Sequence, residues 1–128
     1  LEERIKTKRN IYEYYKSRLE GIPQIEFLDE PNGHYSNRWL TCILTSSYKL
    51  REDIRIALES ENIESRPLWK PLHLHPVFHN YPCYVDGSAE NIYERGLCLP
   101  SGTNLQESDL ERIISIILAK TEKVLKFA

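Results

Sequence analysis

Four prolines within residues 66–84 constrain the fold of this chain more than any other feature of its sequence. Proline lacks a backbone N–H and its ring clashes with the preceding turn, so no regular helix or central strand can cross this stretch. A long stretch without regular structure inside a compact domain calls for a functional explanation. The sequence therefore predicts a functional loop with regular elements on either side, and the prolines that define it are Pro67, Pro71, Pro76 and Pro82.

Two helices and three short strands are predicted on the N-terminal side of this loop. Apolar residues at helical spacing open the chain, and Gly21 and Pro23 end that first helix. Its apolar stripe consists of Leu1, Ile5, Tyr12, Tyr15 and Leu19. Two further runs are apolar, β-branched or aromatic, which predicts an antiparallel pair of strands. The predicted order is strand 25–28, turn 31–33, strand 39–44, helix 50–62 and strand 63–66.

A short helix, a strand and a long helix are predicted after the loop. The short helix covers residues 89–95, and Gly96 is expected to cap its C-terminus. Strand 97–99 follows, and the long helix begins after a segment rich in capping residues, 101–109. Its apolar stripe consists of Leu110, Ile113, Ile114, Ile117, Leu118 and Leu125. The whole pattern predicts an α+β fold in which helices cover one face of a small, mostly antiparallel sheet.

Composition limits the classes of protein to which the chain can belong. At 128 residues it is one domain, and its 17 basic and 19 acidic residues interleave to a net charge of −2, which argues against nucleic-acid binding. No apolar run is long enough to span a membrane. Three widely spaced cysteines favour a reducing cytosol, with Cys42 and Cys98 buried in strands as small hydrophobes. The chain opens inside a helical pattern and contains no methionine, so we expect a piece of a longer protein.

Several kinds of chemistry can be weighed for the loop. A zinc site would draw on imidazole and thiolate ligands, but their spacing matches no familiar zinc motif, and we expect no metal. The candidate ligands are His73, His75, His79 and Cys83. A Cys–His nucleophile at Cys83 lacks a known protease signature. A Schiff base at Lys70 would require burial or a nearby cation to lower the pKa of that lysine.

Two interpretations of the loop stay open from the residues alone. In the first, Trp69 and Phe78 pack onto the sheet, and the histidines only make hydrogen bonds. In the second, Arg66 and Lys70 meet phosphate or carboxylate groups, while the indole of Trp69 packs on a sugar or base. Rigid loops with such groups are common binding sites, and the residues alone leave both interpretations open.

Four stretches of the chain resemble segments of one enzyme family, in order and in spacing. They read RPLWKPLHLHPVF at 66–78, NRWLT at 37–41, GLCLPSG at 96–102 and DLERI at 109–113. They are similar to the DegT/DnrJ/EryC1/StrS sugar aminotransferases, particularly those that act on UDP-4-keto-6-deoxy-N-acetylglucosamine to make bacillosamine precursors. The resemblance covers nearly the whole chain. The first stretch is specific to the subfamily, whereas the final helix alone would be weak evidence.

The resemblance implies a fold type I enzyme that works as a dimer. In such an enzyme a large N-terminal domain carries pyridoxal phosphate on a lysine, and glutamate donates its amino group to the keto carbon of a nucleotide-linked 4-keto sugar. Residues 1–128 would then be the C-terminal small domain. None of the family's cofactor-holding positions matches this sequence, so the chain alone is expected to bind no pyridoxal phosphate and to be inactive. The alternative is a stand-alone, non-catalytic binding domain, or one fused to a regulator, that keeps the small-domain fold.

The resemblance also assigns expected substrate contacts to the loop. Arg66 would contact the carboxylate of the amino acid or a diphosphate, although a salt bridge to the large domain is the alternative. Trp69, Lys70 and His73 would line the side of the site that holds the nucleotide sugar, although Trp69 would also suit a core position. His73 stands where the family's motif has histidine. His75 stands where that motif has glutamine, which puts the sugar specificity in doubt and leaves the reaction class untouched.

Overall fold

Four helices, four short strands and two 3₁₀ turns make up the computed structural model, which describes residues 1–125 and their side-chain environments up to residue 121. In chain order these are α1 (Glu2–Leu19), β1 (Ile25–Phe27), β2 (Thr41–Thr45), α2 (Tyr48–Ser60), β3 (Arg66–Pro67), the 3₁₀ turns Leu72–Leu74 and Pro76–Phe78, α3 (Ser88–Arg95), β4 (Gly96–Leu99) and α4 (Glu107–Leu125). The predicted order of elements is confirmed. The stretch that the prolines mark holds only the short strand β3 and the two 3₁₀ turns.

The strands form one sheet in the order β1-β2-β4-β3, and every neighbouring pair is antiparallel. Ile43 of β2 faces Phe27 on one side and Leu97 on the other, which fixes the register across three strands. Pro67 lies in β3, at the edge of the sheet, where a residue without an N–H costs least. The antiparallel pairing of β1 with β2 confirms the predicted pair of strands.

Three helices cover one face of this sheet and bury its inward-pointing side chains. Residues of α1, α2 and α4 share a core with sheet residues that include Ile43, Leu97 and Leu99. Three of its largest members, Tyr15, Ile54 and Ile117, are fully buried. Burial of side chains of this size contributes on the order of 2 kcal/mol each. The predicted α+β class, with helices on one face of a small antiparallel sheet, is confirmed.

The opposite face of the sheet carries a smaller apolar cluster. It contains Leu44, Leu68 and Cys98, with Leu40 and Cys42 packed against it. The prediction that both strand cysteines are buried is right for Cys98 and wrong for Cys42, which is half-buried. Side chains alternate between the faces of a strand, so Cys42 points away from the helix-covered core that holds Ile43.

Several predicted boundaries need correction. Leu1 is exposed and precedes α1, so it takes no part in the helix stripe. The second strand begins at Thr41 rather than at residue 39. The predicted strand 63–66 is reduced to Arg66–Pro67, because the turn that ends α2 uses the backbone N–H of Asn62 and of Ile63. The side chain of Leu125, predicted for the last apolar stripe, lies outside the described residues.

Gly96 is the C-cap of α3, as predicted, but it does not adopt the left-handed conformation that usually favours glycine at a helix end. Its φ of −87° is an ordinary extended value that any residue can adopt. A Cβ atom at this position would lie 2.5 Å from the carbonyl oxygen of Ile92 and even closer to the side chain of Leu68. The glycine is required because α3 and Leu68 approach the backbone of β4 at this point.

In the described part of the chain, no helix has the length and apolar content that crossing a membrane requires.

Candidate functional site

An open cleft of about 570 Å³ lies at the β3 edge of the sheet. Its walls come from the segment before β2, from the segment that enters β3, and from the residues that follow β3 and β4. The lining residues are Trp39, Leu40, Glu64, Ser65, Arg66, Pro67, Trp69, Cys98, Leu99, Pro100 and Ser101. The fold therefore brings Arg66 and Trp69, two of the predicted site residues, together in one cleft.

Two tryptophans form the aromatic wall of this cleft. The ring centroids of Trp39 and Trp69 are 6.0 Å apart and their planes are tilted by 33°. Both side chains stay largely exposed, at 62% and 64% of their full accessible area. These are the only tryptophans of the chain. An exposed indole pair of this kind offers a flat apolar face to a sugar or a nucleobase.

The backbone around Trp39 is held by side chains from other elements. The Asn37 Oδ1 accepts a hydrogen bond from the Trp39 N–H at 3.0 Å, which is an Asx turn. The ammonium group of Lys8, on α1, donates to the carbonyl oxygens of Trp39 and Ser101 at 2.9 and 2.8 Å. Arg38, between Asn37 and Trp39, has a φ of 49°, in the left-handed region that turns require. The position of Trp39 is thus fixed by a turn and by an anchor on the first helix.

The polar part of the cleft is built around Arg66. Its guanidinium pairs with the Glu64 carboxylate, with Nε and Nη2 at 2.7 and 2.5 Å from Oε1. Both side chains are exposed, and ion pairs of this kind contribute only about 0–1 kcal/mol, so an anionic ligand can compete for the guanidinium. The buried Ser65 Oγ has no hydrogen-bond partner in the described part of the chain. The cleft therefore offers an exposed cation next to its aromatic wall.

The other predicted contact residues lie outside the cleft lining. Lys70 is exposed and follows Trp69. The His73 Nε2 lies 2.6 Å from the Glu90 Oε1, so this histidine ties the first 3₁₀ turn to α3. The His75 Nε2 lies 3.4 Å from the carbonyl oxygen of Lys70, a weak contact within the loop. Lys70, His73 and His75 thus lie on the stretch that follows Arg66 and Trp69, but they do not line the cleft.

The aromatic side chains of the loop are too exposed for one of the two interpretations that the sequence left open. The interpretation in which Trp69 and Phe78 pack onto the sheet is wrong, because both remain exposed, Phe78 at 40%. Phe78 instead contacts Tyr81, with ring centroids 6.2 Å apart. Beyond them, Val77 and Tyr84 are also exposed. The loop therefore presents an apolar and aromatic surface beside the cleft.

The described residues do not fit a covalent site for an aldehyde cofactor. A Schiff-base lysine needs burial or a nearby cation to lower its pKa. Lysines of residues 1–121 are all exposed or half-buried, and their positions are Lys6, Lys8, Lys16, Lys49, Lys70 and Lys120. Lys16 is ion-paired with Asp29 at 2.6 Å, and this contact raises its pKa instead. Residues 1–121 therefore contain no lysine suited to hold the cofactor as a Schiff base.

Trp39 is the residue of the cleft that sequence reasoning missed. Its run of apolar and aromatic residues favoured a buried strand, yet the strand begins two residues later. Asn37 is the signal that the sequence offers, because an asparagine side chain can hydrogen-bond the backbone two residues on and so favours a turn at Trp39 over a strand. The contact between Trp39 and Trp69 could not be predicted from local sequence, since the two residues are far apart along the chain.

Comparison with known proteins gives one consistent result. The model of the DegT/DnrJ/EryC1/StrS aminotransferase family matches residues 1–118. The EpsN protein of Bacillus subtilis (strain 168), described as a candidate pyridoxal phosphate-dependent aminotransferase, is 38% identical over 122 residues, which cover 92% of this chain and 31% of that protein. GDP-perosamine synthase of Vibrio cholerae is 34% identical over 116 residues, covering 88% of this chain and 31% of that enzyme.

A solved structure shows the same fold. The crystal structure of the aminotransferase TlmJ from Streptoalloteichus hindustanus superimposes with a TM-score of 0.86 at 25% identity, over 97% of this chain and 33% of that one. The chain thus spans about a third of the length of the relatives it matches. Both the sequence match and the fold lead to the same conclusion. The chain belongs to the DegT/DnrJ/EryC1/StrS aminotransferase family.

Proposed function

We propose that this chain is the C-terminal small domain of a pyridoxal phosphate-dependent enzyme that transfers an amino group from glutamate to a nucleotide-linked 4-keto sugar. The observation that carries the proposal is the cleft, in which an exposed indole pair lies beside the Arg66 guanidinium. A nucleotide sugar has flat rings and phosphate oxygens, which are the two kinds of group that such a cleft accommodates. The names of the relatives support the proposal, since one is described as a candidate pyridoxal phosphate-dependent aminotransferase and another is a GDP-perosamine synthase.

Residues of the cleft would bind and orient the substrate rather than perform the amino transfer. Arg66 would exchange Glu64 for a substrate anion, either a diphosphate or the carboxylate of the amino acid. Trp69, together with Trp39, would pack on a ring of the nucleotide sugar. Lys70, His73 and His75 remain proposed contacts on the exposed loop; a substrate that reaches His73 would meet a histidine already bound to Glu90.

The cofactor would be held by a part of the longer protein that lies outside these residues. Pyridoxal phosphate supplies an electron sink for amino transfer, and the protein provides orientation and electrostatics. We propose that this longer protein is a cytoplasmic homodimer. The location proposed for the cofactor is supported by the lysines of residues 1–121, none of which is buried as a Schiff-base lysine would need to be. The chain alone would then neither hold the cofactor stably nor transfer amino groups.

The test is an amino-transfer assay on the longer polypeptide that contains this chain. With ¹⁵N-labelled glutamate and UDP-4-keto-6-deoxy-N-acetylglucosamine, the label should appear in the nucleotide-sugar product. The Arg66→Ala variant should raise the KM for one substrate, because the lost contact is a binding interaction. Arg112→Ala is a matched control, since Arg112 is also exposed and pairs with a glutamate, Glu61 at 2.9 Å, outside the cleft.

Other outcomes of the same experiments would refute the proposal. Saturable binding of the nucleotide sugar without any transfer would support the stand-alone, non-catalytic binding domain instead. If pyridoxal phosphate gave the chain alone a stable visible absorption band of lysine-bound cofactor, the location proposed for the cofactor would be wrong. Equal effects of the two arginine substitutions on KM would remove Arg66 from the proposed site.

A further inference from the structure

Two thiols face each other across the middle of the sheet. Cys42 of β2 is paired with Cys98 of β4 in the strand register, and their sulfur atoms are 3.7 Å apart. Side chains of directly opposed residues in an antiparallel pair lie on the same face. Both cysteines are free in this structure. The contact is therefore a dithiol held by the backbone of two neighbouring strands.

The backbone geometry of this pair suits a disulfide. Directly opposed residues of antiparallel strands have Cα atoms roughly 4.5–5.5 Å apart. Disulfides require Cα atoms at about 4.4–6.8 Å and sulfur atoms near 2.0 Å. Formation of the bond thus needs rotation of the two side chains and only a small movement of the strands.

A reagent can reach the pair from the cleft. Cys98 lines the cleft even though it is 8% exposed, and Cys42 is half-buried beside it. The rest of the surrounding cluster is apolar and consists of leucine side chains. A hydrogen bond from the Cys42 thiol lowers the pKa of Cys98 below its ordinary value, against the opposing effect of burial. Thiolate character and access are the two properties that make a cysteine oxidisable.

We propose that Cys42 and Cys98 form a reversible disulfide, a modification site in the floor of the cleft, with a hydroperoxide as the oxidant. The Cys98 thiolate attacks the peroxide, the O–O bond breaks, an alcohol leaves and Cys98 becomes a sulfenic acid. The Cys42 sulfur then attacks the Cys98 sulfur, the S–S bond forms and water leaves. In sum, two thiols and one hydroperoxide give one disulfide, one alcohol and one water, and two electrons pass from sulfur to the peroxide.

The modification would act on the proposed binding site through the strand register. Arg66 of β3 is paired with Cys98, so Arg66, Cys98 and Cys42 form one row across three strands on the same face of the sheet. A covalent bond between the two sulfurs fixes two members of this row. A reducing dithiol would restore the original state by thiol–disulfide exchange.

The experiment uses the full chain with Cys83→Ser, which removes the exposed third cysteine and leaves the pair as the only thiols. One equivalent of tert-butyl hydroperoxide should remove both thiols, as counted by a thiol reagent under denaturing conditions. The intact mass should fall by two hydrogens, the protein should stay monomeric on a non-reducing gel, and dithiothreitol should reverse the change. Far-UV circular dichroism before and after oxidation checks that the fold is retained.

A matched variant separates the disulfide from ordinary oxidation. In Cys83→Ser/Cys98→Ser, the remaining Cys42 should give no monomer that is lighter by two hydrogens, and it should at most gain oxygen or form a disulfide-linked dimer between chains. The proposal is overturned if the parent variant keeps two free thiols, if its mass rises by oxygen atoms, or if its disulfide forms only between chains. None of these outcomes depends on the amino-transfer activity, so the result is independent of the proposed function.

Discussion

Replacing Gly96 with alanine tests how tightly α3 and Leu68 pack against β4. The added Cβ would lie 2.5 Å from the carbonyl oxygen of Ile92 and closer still to the side chain of Leu68. Leu68 can rotate away at about 0.5–1.5 kcal/mol for an unfavourable rotamer. The Ile92 carbonyl belongs to the backbone and must shift, so overpacking should cost about 2–3 kcal/mol in total.

One opposing effect reduces this cost. Gly96 has an ordinary φ of −87°, so alanine loses less conformational entropy on folding. That effect stabilises by about 0.4–1 kcal/mol where the backbone is compatible. The free energy of unfolding should therefore fall by about 1–2 kcal/mol, which corresponds to a decrease in Tm of roughly 4–8 °C for a domain of this size.

The assay is urea unfolding followed by circular dichroism and tryptophan fluorescence, with Gly102→Ala as the control. At Gly102 the new Cβ would meet only the end of the Asn104 side chain, which can move aside. That variant should stay within about 0.5 kcal/mol of the parent chain. If Gly96→Ala were neutral or stabilising, the close approach at β4 would be wrong and Gly96 would be a simple helix end.

Three more predictions concern the charge network, the core and the aromatic wall. A hydrogen bond from Arg9 lowers the pKa of Glu30 to about 2. The ionised Glu30 therefore contributes its full stabilisation above the ordinary pKa of 4.5, and this contribution is lost as the pH falls from 4.5 towards 2. The stability gap between the parent chain and Glu30→Gln in urea unfolding should therefore be smaller at pH 3 than at pH 7, and an equal gap would contradict the ion pair. Ile114→Ala, in a core position that is 1% exposed, should lower the free energy of unfolding by about 2–4 kcal/mol in the same assay. Trp39 and Trp69 should give an exciton couplet in far-UV circular dichroism that disappears when either becomes phenylalanine, and its absence from the parent chain would refute their contact.

Helix periodicity made much of the fold predictable from the sequence. The stripe from Leu110 to Ile117 repeats at helical spacing, and the structure buries it against the sheet. Prolines and glycines marked the limits of the elements equally well, as at Gly21, whose φ is +88° just after α1. Strand limits were less predictable, because β3 begins only after the turn at Asn62, with a φ of 58°, has ended α2.

The site was predicted only in part, because its contacts join residues that are distant in sequence. Arg66 and Trp69 were found from the loop, since both belong to one recognisable stretch. Trp39 was assigned to a buried strand, and nothing near it in sequence indicates its partner. The contact of His73 with Glu90 likewise depends on how α3 folds back to the loop. Local patterns specify which residues can act, and tertiary packing decides which of them meet.

The most direct test of the central claim is a fluorescence titration of this chain with a nucleotide sugar such as UDP-N-acetylglucosamine. Both tryptophans of the chain line the cleft, so a change in emission reports binding there. We expect a saturable change whose Kd rises about tenfold in Arg66→Ala, the usual effect of losing one charged hydrogen bond, and is unchanged in Arg112→Ala. An emission that does not respond, or a response that the two substitutions weaken equally, would show that the cleft is not the binding site for the nucleotide sugar.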